Sequence, residues 1–179
     1  EWCYNNEIIC LRGPETDVLA RFVHAAKAEK ADTVMRLTAD CPLLDPQVCG
    51  QVLMLMEKTG ADYASNIDPA SWPDGLDCEV FTTAALLKAE KLASRLYERE
   101  HVTPFIRNNR RIFLSHNLRC PLPNLAKERW TLDTPNDLVF LKAVVEILNE
   151  PGPFSFINIL HALDNNPSLR KINSDFSRN

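Results

Sequence analysis

The sequence predicts an α/β fold, in which helices pack on the faces of a sheet. Short apolar stretches that fit strands alternate along the chain with amphipathic stretches that fit helices. The helix starts are marked, because Asp45 precedes Pro46 and Thr134 precedes Pro135. With 179 residues, of which 45% are hydrophobic and 25% charged, the chain can build one ordinary core. We therefore expect one domain over residues 1–172 and a frayed tail at 173–179.

The first half of the chain alternates strands with two helices. Gly13-Pro14 breaks the first strand, and Thr16 is placed to cap the helix that follows. Apolar residues recur at helical spacing after that cap, and Gly60 suits the end of the second helix. The predicted elements are, in order, a strand at 7–11, a helix through 18–26, a strand at 33–38, a helix from 46 to 59 and a strand at 61–65.

The second half begins at a turn, since Pro73-Asp74-Gly75 combines three turn-forming residues. Thr134 is placed to cap a later helix, and the acid Asp137 in the first turn supports that helix start. Pro151 and Gly152 are expected to end the same helix. The predicted elements are a strand at 76–81, helices at 83–96 and 100–108, strands at 112–115 and 129–132, and helices at 135–148 and 157–163.

Charge and composition exclude several classes of protein. The net charge of -4 and the pI of about 5.6 argue against a nucleic-acid-binding protein. No apolar run approaches the roughly 20 residues of a membrane span, and the first residues do not resemble a signal peptide. The six cysteines form no C-x-x-C pair, which is typical of reduced thiols. We therefore expect a cytoplasmic protein with neither a membrane nor a nucleic-acid partner.

Two aspartates follow predicted strands, which is where ligands bind in parallel α/β sheets. Asp40 comes after the strand at 33–38, and Asp133 comes after the strand at 129–132. Magnesium is typically held by one or two carboxylates, with phosphates and water as its other ligands. The two acids could share such an ion if their strands are neighbours. Each could also be an ordinary turn or helix-entry residue.

Two further segments carry charges that suit a binding site. Asp77 and Glu79 lie two apart on a predicted strand, so both should face one side while Cys78 and Val80 face the core. A sugar, a metal or an arginine would offset their repulsion, although a solvated face is the alternative. The stretch 98–101 contains two acids, a cation and an imidazole, which could together bind a substrate. The alternative is that these residues are only the charged start of a helix.

Neither a hydrolase nucleophile motif nor a dinucleotide- or triphosphate-binding glycine loop is present. Instead, six stretches in order resemble cytidylyltransferases of the spore-coat polysaccharide biosynthesis protein F type, which are related to the CMP-KDO and CMP-sialic acid synthetases. The stretches are 11–22, 36–45, 61–66, 73–81, 98–104 and 129–137, and they cover most of the chain. Each one is weak evidence alone, whereas the ordered set is specific.

The resemblance implies a nucleotide-diphosphosugar transferase (GT-A-like) fold, a three-layer α/β/α arrangement with a mixed, mainly parallel sheet. It implies attack of a sugar-acid hydroxyl on the α-phosphate of CTP, with release of pyrophosphate. Asp40 and Asp133 match the acids that hold Mg²⁺ in related synthetases, and they are the predicted catalytic residues. A homodimer is left open. The predicted substrate-binding residues are Asn66, Asp74, Gly75, Asp77, Glu79, Arg99 and His101.

One family feature is missing, because relatives open with a strand and a basic, glycine-rich loop that holds the nucleotide. The first residues here already match a later part of the fold. We therefore expect an N-terminally truncated chain, one part of a split enzyme, or a homologue without catalysis, and no useful CMP-sugar synthesis by this chain alone. A glycosyltransferase of related fold and a non-catalytic binding or assembly subunit are the alternatives.

Overall fold

The computed structural model describes residues 1–149 and 151–174, and these residues form an α/β fold. A four-stranded mixed sheet has the order β1-β3-β2-β4. Its strands are β1 (Thr33–Arg36), β2 (Tyr63–Ser65), β3 (Glu79–Thr82) and β4 (Ser115–Asn117). The helices are α1 (Trp2–Asn5), α2 (Val18–Ala28), α3 (Pro46–Thr59), α4 (Thr83–Leu92), α5 (Leu96–His101), α6 (Pro104–Asn108), α7 (Pro135–Leu148) and α8 (Phe156–Asn165).

The predicted α/β class and mixed sheet are confirmed, whereas the parallel majority and the three layers stay predictions. None of the described helices combines the length and apolar character that crossing a membrane requires. The described residues group into two compact units, and the expected single domain also stays a prediction. The first unit comprises Glu1–Val34, Gly60–Tyr63 and Phe81–Ser115, and the second comprises Met35–Thr59, Ala64–Val80 and the described part of His116–Asn179.

The core of the first unit forms where α2, α4 and α6 bring their apolar faces together. The apolar stripe predicted for α2 comprised Val18, Leu19, Phe22, Ala25 and Ala26. Leu19 and Ala26 are buried, and Val18 and Phe22 pack against this core, while the buried Val23 was not predicted. Aromatic rings fill the spaces between helices, and Phe105 meets Phe113 edge-on with centroids 6.2 Å apart.

The core of the second unit is built largely by α7, α8 and two buried tryptophans, Trp72 and Trp130. The ring of Trp72 meets Phe156 edge-on at 5.1 Å, and its indole N–H donates to the carbonyl of Leu118. Because both tryptophans are buried, their packing fixes the loops that carry them. Trp130 lies in the segment that forms the candidate site.

The predicted ends of α3 and the predicted start of α7 are confirmed. Asp45 accepts from the N–H of Gln47 at the start of α3, and Gly60 ends that helix with a positive φ of 63°. At α7, Thr134 and Asp137 cap each other's main-chain N–H groups. Asp45 also accepts from the N–H of Phe156, so this cap links α3 to the start of α8.

Two predictions near the N-terminus are wrong. Residues 7–11 form no strand, because Glu7 has a positive φ of 56° and the N–H of Ile8 turns back to the carbonyl of Cys3. The cap of α2 is Asp17 rather than Thr16, since the Asp17 carboxylate accepts from the N–H of Ala20. The local sequence could not distinguish two adjacent residues that both suit a helix N-cap.

Predictions later in the chain also need correction, and residues 112–114 form no strand because β4 begins at Ser115. The helix expected at 100–108 is divided into α5 and α6, because Val102 adopts a positive φ of 71° two residues before Pro104. Residues 129–132 form no sheet strand; within them, Arg129 makes an isolated parallel bridge to Asp74. The predicted frayed tail begins at Asn173, yet Asn173 is buried; residues 175–179 lie outside the described part.

Gly75 occupies a position that no other residue fits. Its φ is +108°, and a Cβ built there would lie 2.5 Å from the carbonyl carbon of Trp130. Real Cβ atoms do not approach main-chain atoms this closely, so the main chain of Trp130 could not stay in place. The glycine in the predicted turn at Pro73-Asp74-Gly75 therefore also allows the turn to pack closely against the main chain of Trp130.

We expect Gly75→Ala to lower the free energy of unfolding by about 2–4 kcal/mol, because it combines backbone strain with a main-chain clash. Gly50→Ala is the matched control, since Gly50 lies within α3 with open space around its Cβ position. It should stabilise the protein by about 0.5–1 kcal/mol through helix propensity. Urea unfolding measures both, and equal effects would contradict the close packing of Gly75.

Candidate active site

The segment at 128–132 is hydrogen-bonded through its main chain to two other parts of the second unit. The N–H of Trp130 donates to the carbonyl of Asp74 at 2.6 Å. The N–H of Leu132 donates to the carbonyl of Asp40 at 2.8 Å. The segment thus joins two acid-bearing stretches, those of Asp74 and Asp40, that are far apart in sequence.

The side chain of Arg129 contacts three carboxylates of the second unit. Its Nε and Nη2 donate to the two oxygens of Asp137, both at 2.9 Å, in a bidentate pair. Nη2 also donates to Oδ2 of Asp133 at 2.8 Å, and Nη1 lies 3.5 Å from Oδ2 of Asp74. One guanidinium therefore fixes the directions of three acids, and negative charge exceeds positive charge around it.

Asp137 anchors this group of charges, and its side chain has 0% exposure. Burial by itself raises the pKa of Asp137, but hydrogen bonds from Arg129, Asn173 and the main chain of Asp133 and Thr134 outweigh it. They hold the pKa of Asp137 well below its usual range. The side-chain hydrogen bonds of Asp137 likewise raise the pKa of Arg129, so this pair stays ionised at neutral pH.

The two predicted magnesium ligands, Asp40 and Asp133, are both exposed, and Asp133 retains 42% of its side-chain surface. Oδ2 of Asp133 accepts from Arg129, while none of the described residues donates to its Oδ1. Burial raises the pKa of Cys41 to about 12, so that thiol stays protonated and donates to Asp40 over 3.6 Å. Accessible carboxylate oxygens on joined segments have the chemistry that a hard cation requires.

The donor set suits an ion that also uses ligands from outside the protein. Among residues 1–149 and 151–174, no group of three or more His, Cys, Asp or Glu side chains could hold a metal. Two carboxylates do match Mg²⁺, which commonly keeps phosphate oxygens and water in its octahedron. That Asp40 and Asp133 share one ion stays a prediction.

Asp77 and Glu79 differ in their burial, and it stays a prediction that both face one pocket. Cys78 and Val80 are fully buried, as expected. Glu79 is also buried, and its carboxylate accepts from Nη1 of Arg36 at 2.9 Å, whereas Asp77 is half-buried. An arginine thus offsets the charge of Glu79, which gives this residue a structural role.

Asn66 is buried, and its amide organises the chain before β3. Its Nδ2 donates to the carbonyl of Leu76 at 2.6 Å, and its Oδ1 accepts from the N–H of Cys78 at 2.9 Å. These bonds hold the stretch that follows Asp74 and Gly75. Asn66 therefore supports predicted substrate-binding residues, and its own contact with a substrate stays a prediction.

Arg99 and His101 belong to α5 in the first unit, and the contacts of Arg99 are internal. Its guanidinium donates to Oδ2 of Asp17 through Nη2 at 2.6 Å, and Nη1 donates to the carbonyl of Glu90. The hydrogen bond raises the pKa of Arg99 and lowers that of Asp17. The ring of His101, which is exposed, lies 4.6 Å from that of Tyr97. Substrate binding by Arg99 and His101 stays a prediction.

Sequence reasoning did not select Arg129, Asp137 or Asn173 as site residues. The spacing of Arg129 and Asp137 offered a signal, because both lie beside Asp133 in the stretch 129–137. The local sequence around Asn173 offered no such signal, because the residues it contacts, Arg129 and Asp137, lie 44 and 36 positions earlier in the chain.

Comparison with known proteins shows an extensive likeness. The family model of the cytidylyltransferases matches residues 2–148. An uncharacterized protein of Methanocaldococcus jannaschii is 36% identical over 98% of this chain and 71% of that protein. Spore coat polysaccharide biosynthesis protein SpsF of Bacillus subtilis is 29% identical over 92% of this chain and 68% of SpsF. A solved cytidylyltransferase structure from Leptospira borgpetersenii has a TM-score of 0.86 and 28% identity, covering 93% of this chain and 70% of that one.

Asp137→Asn should destabilise the protein by about 3 kcal/mol at pH 7, because it removes one partner of a buried ion pair. Asp164→Asn is the matched control, since Asp164 is 67% exposed although it also pairs with an arginine, Arg170. An exposed pair contributes about 0–1 kcal/mol, so the control should change little. Chemical denaturation of the three proteins measures the difference.

The effect of Asp137→Asn should also depend on pH. A carboxyl whose pKa is lowered by folding adds stability above its unfolded pKa of about 4, and that contribution declines as pH falls toward its folded pKa. The difference in unfolding free energy between wild type and Asp137→Asn should therefore be largest near neutral pH and shrink below about pH 4. A difference that grows on acidification would contradict the ionised pair.

Proposed function

The chain belongs to the cytidylyltransferase family, and from that premise we propose that it transfers CMP from CTP to a hydroxyl of a sugar acid, releasing pyrophosphate. Family membership makes it a nucleotidyltransferase that uses CTP. The proposal goes further in two respects: the acceptor is a sugar acid, and the reaction uses a magnesium ion. The observation that carries it is the hydrogen bond between Leu132 and Asp40, which joins the segments bearing the two exposed acids.

The proposal also covers the pathway, the fold class, the cellular compartment and the assembly of the protein. The name of the Bacillus relative points to polysaccharide biosynthesis, and we extend that role to this chain. We likewise assign the chain to the nucleotide-diphosphosugar transferase (GT-A-like) class and to the cytoplasm, with a homodimer as its assembly. The family match favours nucleotidyl transfer over the glycosyl transfer that a related fold could support.

Asp40 and Asp133 would hold the magnesium ion. Magnesium bound there would offset the negative charge of the CTP phosphates and help to orient the attacking oxygen. In this proposal Arg129 holds Oδ2 of Asp133, which leaves Oδ1 available to the ion. The thiol of Cys41 makes a weaker contact of the same kind, with Oδ1 of Asp40 over 3.6 Å. Neither acid then needs to move far, and fixed positioning supplies much of the rate in transfers of this kind.

The half-buried carboxylate of Asp74 belongs to the same group of charges. Asp77 lies three residues later in the stretch that Asn66 holds. Carboxylates can accept hydrogen bonds from sugar hydroxyls, so this stretch suits an acceptor sugar better than it suits phosphate. We propose that Asp74 and Asp77 lie on the sugar side of the site, while Asp40 and Asp133 lie on the phosphate side.

Asp40→Asn and Asp133→Asn should each reduce CTP-dependent pyrophosphate release on the order of 100-fold or more, because each removes a carboxylate that would hold the magnesium ion against the phosphates in the transition state. The assay uses the whole gene product containing these 179 residues, with Mg²⁺ and a panel of sugar acids and neutral sugars. Glu57→Gln, at an exposed position on α3, is the matched control and should retain full activity.

The panel tests the proposed chemistry separately from the proposed residues. Turnover with a neutral sugar but with no sugar acid would contradict the assigned acceptor. Turnover with a sugar acid that neither aspartate variant reduces would contradict the assigned ligands. Circular dichroism of each variant verifies that a loss of activity does not reflect unfolding.

A further inference from the structure

Asn173 lies beyond residues 2–148, which the family model matches, and it nevertheless contacts the charged group of the candidate site. Its side chain is buried, with 3% exposure. The Nδ2 amide donates to the main-chain carbonyl of Arg129 at 3.0 Å and to Oδ1 of Asp137 at 2.9 Å. One side chain from near the end of the described residues therefore bonds to both members of the central ion pair.

The approach of Asn173 is fixed by the residues before it. Leu169 and Ile172 pack against the core of the second unit. Arg170 donates to Oε1 of Glu128 at 2.7 Å and to the carbonyl of Leu163 at 2.9 Å. These contacts hold the short 3₁₀ helix Leu169–Lys171 in place. Asn173 is thus delivered by an ordered segment, which is what a precise contact requires.

The two bonds of Asn173 restrict how Arg129 can point. One holds the main chain of Arg129, and the other holds Oδ1 of Asp137, which also accepts from Nε of Arg129. With its main chain and its bidentate partner both fixed, the guanidinium keeps one orientation. In that orientation Nη2 meets Oδ2 of Asp133 at 2.8 Å.

We infer that Asn173 is a positioning residue for Asp133, acting through Arg129 and Asp137. The inference rests on the proposed role of Asp133 as a magnesium ligand. Residues that orient metal ligands typically change metal affinity 10–100-fold when they are replaced. Loss of the Asn173 amide should let Arg129 and Asp133 adopt other orientations, so that the ion binds more weakly.

The direct test measures binding of Mn²⁺, as a probe for Mg²⁺, to the whole gene product by electron paramagnetic resonance. Asn173→Leu has a similar volume and no donor, and it should raise the Mn²⁺ dissociation constant about 10-fold or more. Asn173→Asp should also weaken binding, because it places a carboxylate against Asp137. Ser174→Ala is the matched control at the next, exposed position and should leave affinity unchanged.

Turnover supplies a second readout that a purely structural role would not move. The Mg²⁺ concentration for half-maximal rate should rise in Asn173→Leu, while the rate at saturating Mg²⁺ should fall much less. If Asn173→Leu does not fold, Asn173→Ser takes its place, because serine keeps a shorter donor. Its dissociation constant should lie between those of wild type and Asp133→Asn.

The outcomes separate this inference from the proposed function. If Asp133→Asn abolishes Mn²⁺ binding and no substitution of Asn173 weakens it, only the positioning role is overturned. If wild type binds no Mn²⁺, or Asp133→Asn binds it as tightly as wild type, the proposed ligand and the inference both fail. Weaker binding in Asn173→Leu with unchanged binding in Ser174→Ala supports the positioning role.

Discussion

The candidate site depends on one buried ion pair, between Arg129 and Asp137. Burying a carboxylate and a guanidinium is costly, and the cost is offset only when their hydrogen-bonding groups are satisfied. Both oxygens of Asp137 accept from Arg129, and Asn173 and the start of α7 supply further donors. The segment at 128–132 is therefore held at the position where main-chain bonds join it to Asp74 and Asp40.

The same pair explains how several acids can lie close together. Arg129 offsets part of the negative charge by contacting Asp133 and Asp74 as well as Asp137. It leaves Asp133 exposed, on a segment bonded to that of the exposed Asp40. An uncompensated excess of negative charge favours a bound cation. The requirements of folding and those of the proposed chemistry thus meet at one arginine, since it both anchors α7 and orients Asp133, the proposed metal ligand.

The features predicted well from sequence are those that neighbouring residues determine. The caps at Asp45 and Thr134 and the stripe of α2 depend on contacts within one or two helical turns. Residues 129–132 were wrongly predicted as a sheet strand, because their main-chain bonds go to Asp74 and Asp40 and no local pattern encodes those partners. The burial of Glu79 against Arg36 and the contacts of Asn173 are equally long-range. Such pairings depend on the tertiary structure, so residue spacing could indicate the exposed acids but not the residues that orient them.

In the proposed function, Asp40 and Asp133 share one divalent ion that also meets the phosphates of CTP. The decisive measurement is anomalous diffraction from crystals of the whole gene product grown with Mn²⁺ and a non-hydrolysable CTP analogue. We expect one manganese peak with an oxygen of each aspartate about 2.1 Å away, and with Nη2 of Arg129 still bonded to Oδ2 of Asp133. A peak that contacts only one of the two acids, or that lies elsewhere in the protein, would show that they do not share the ion.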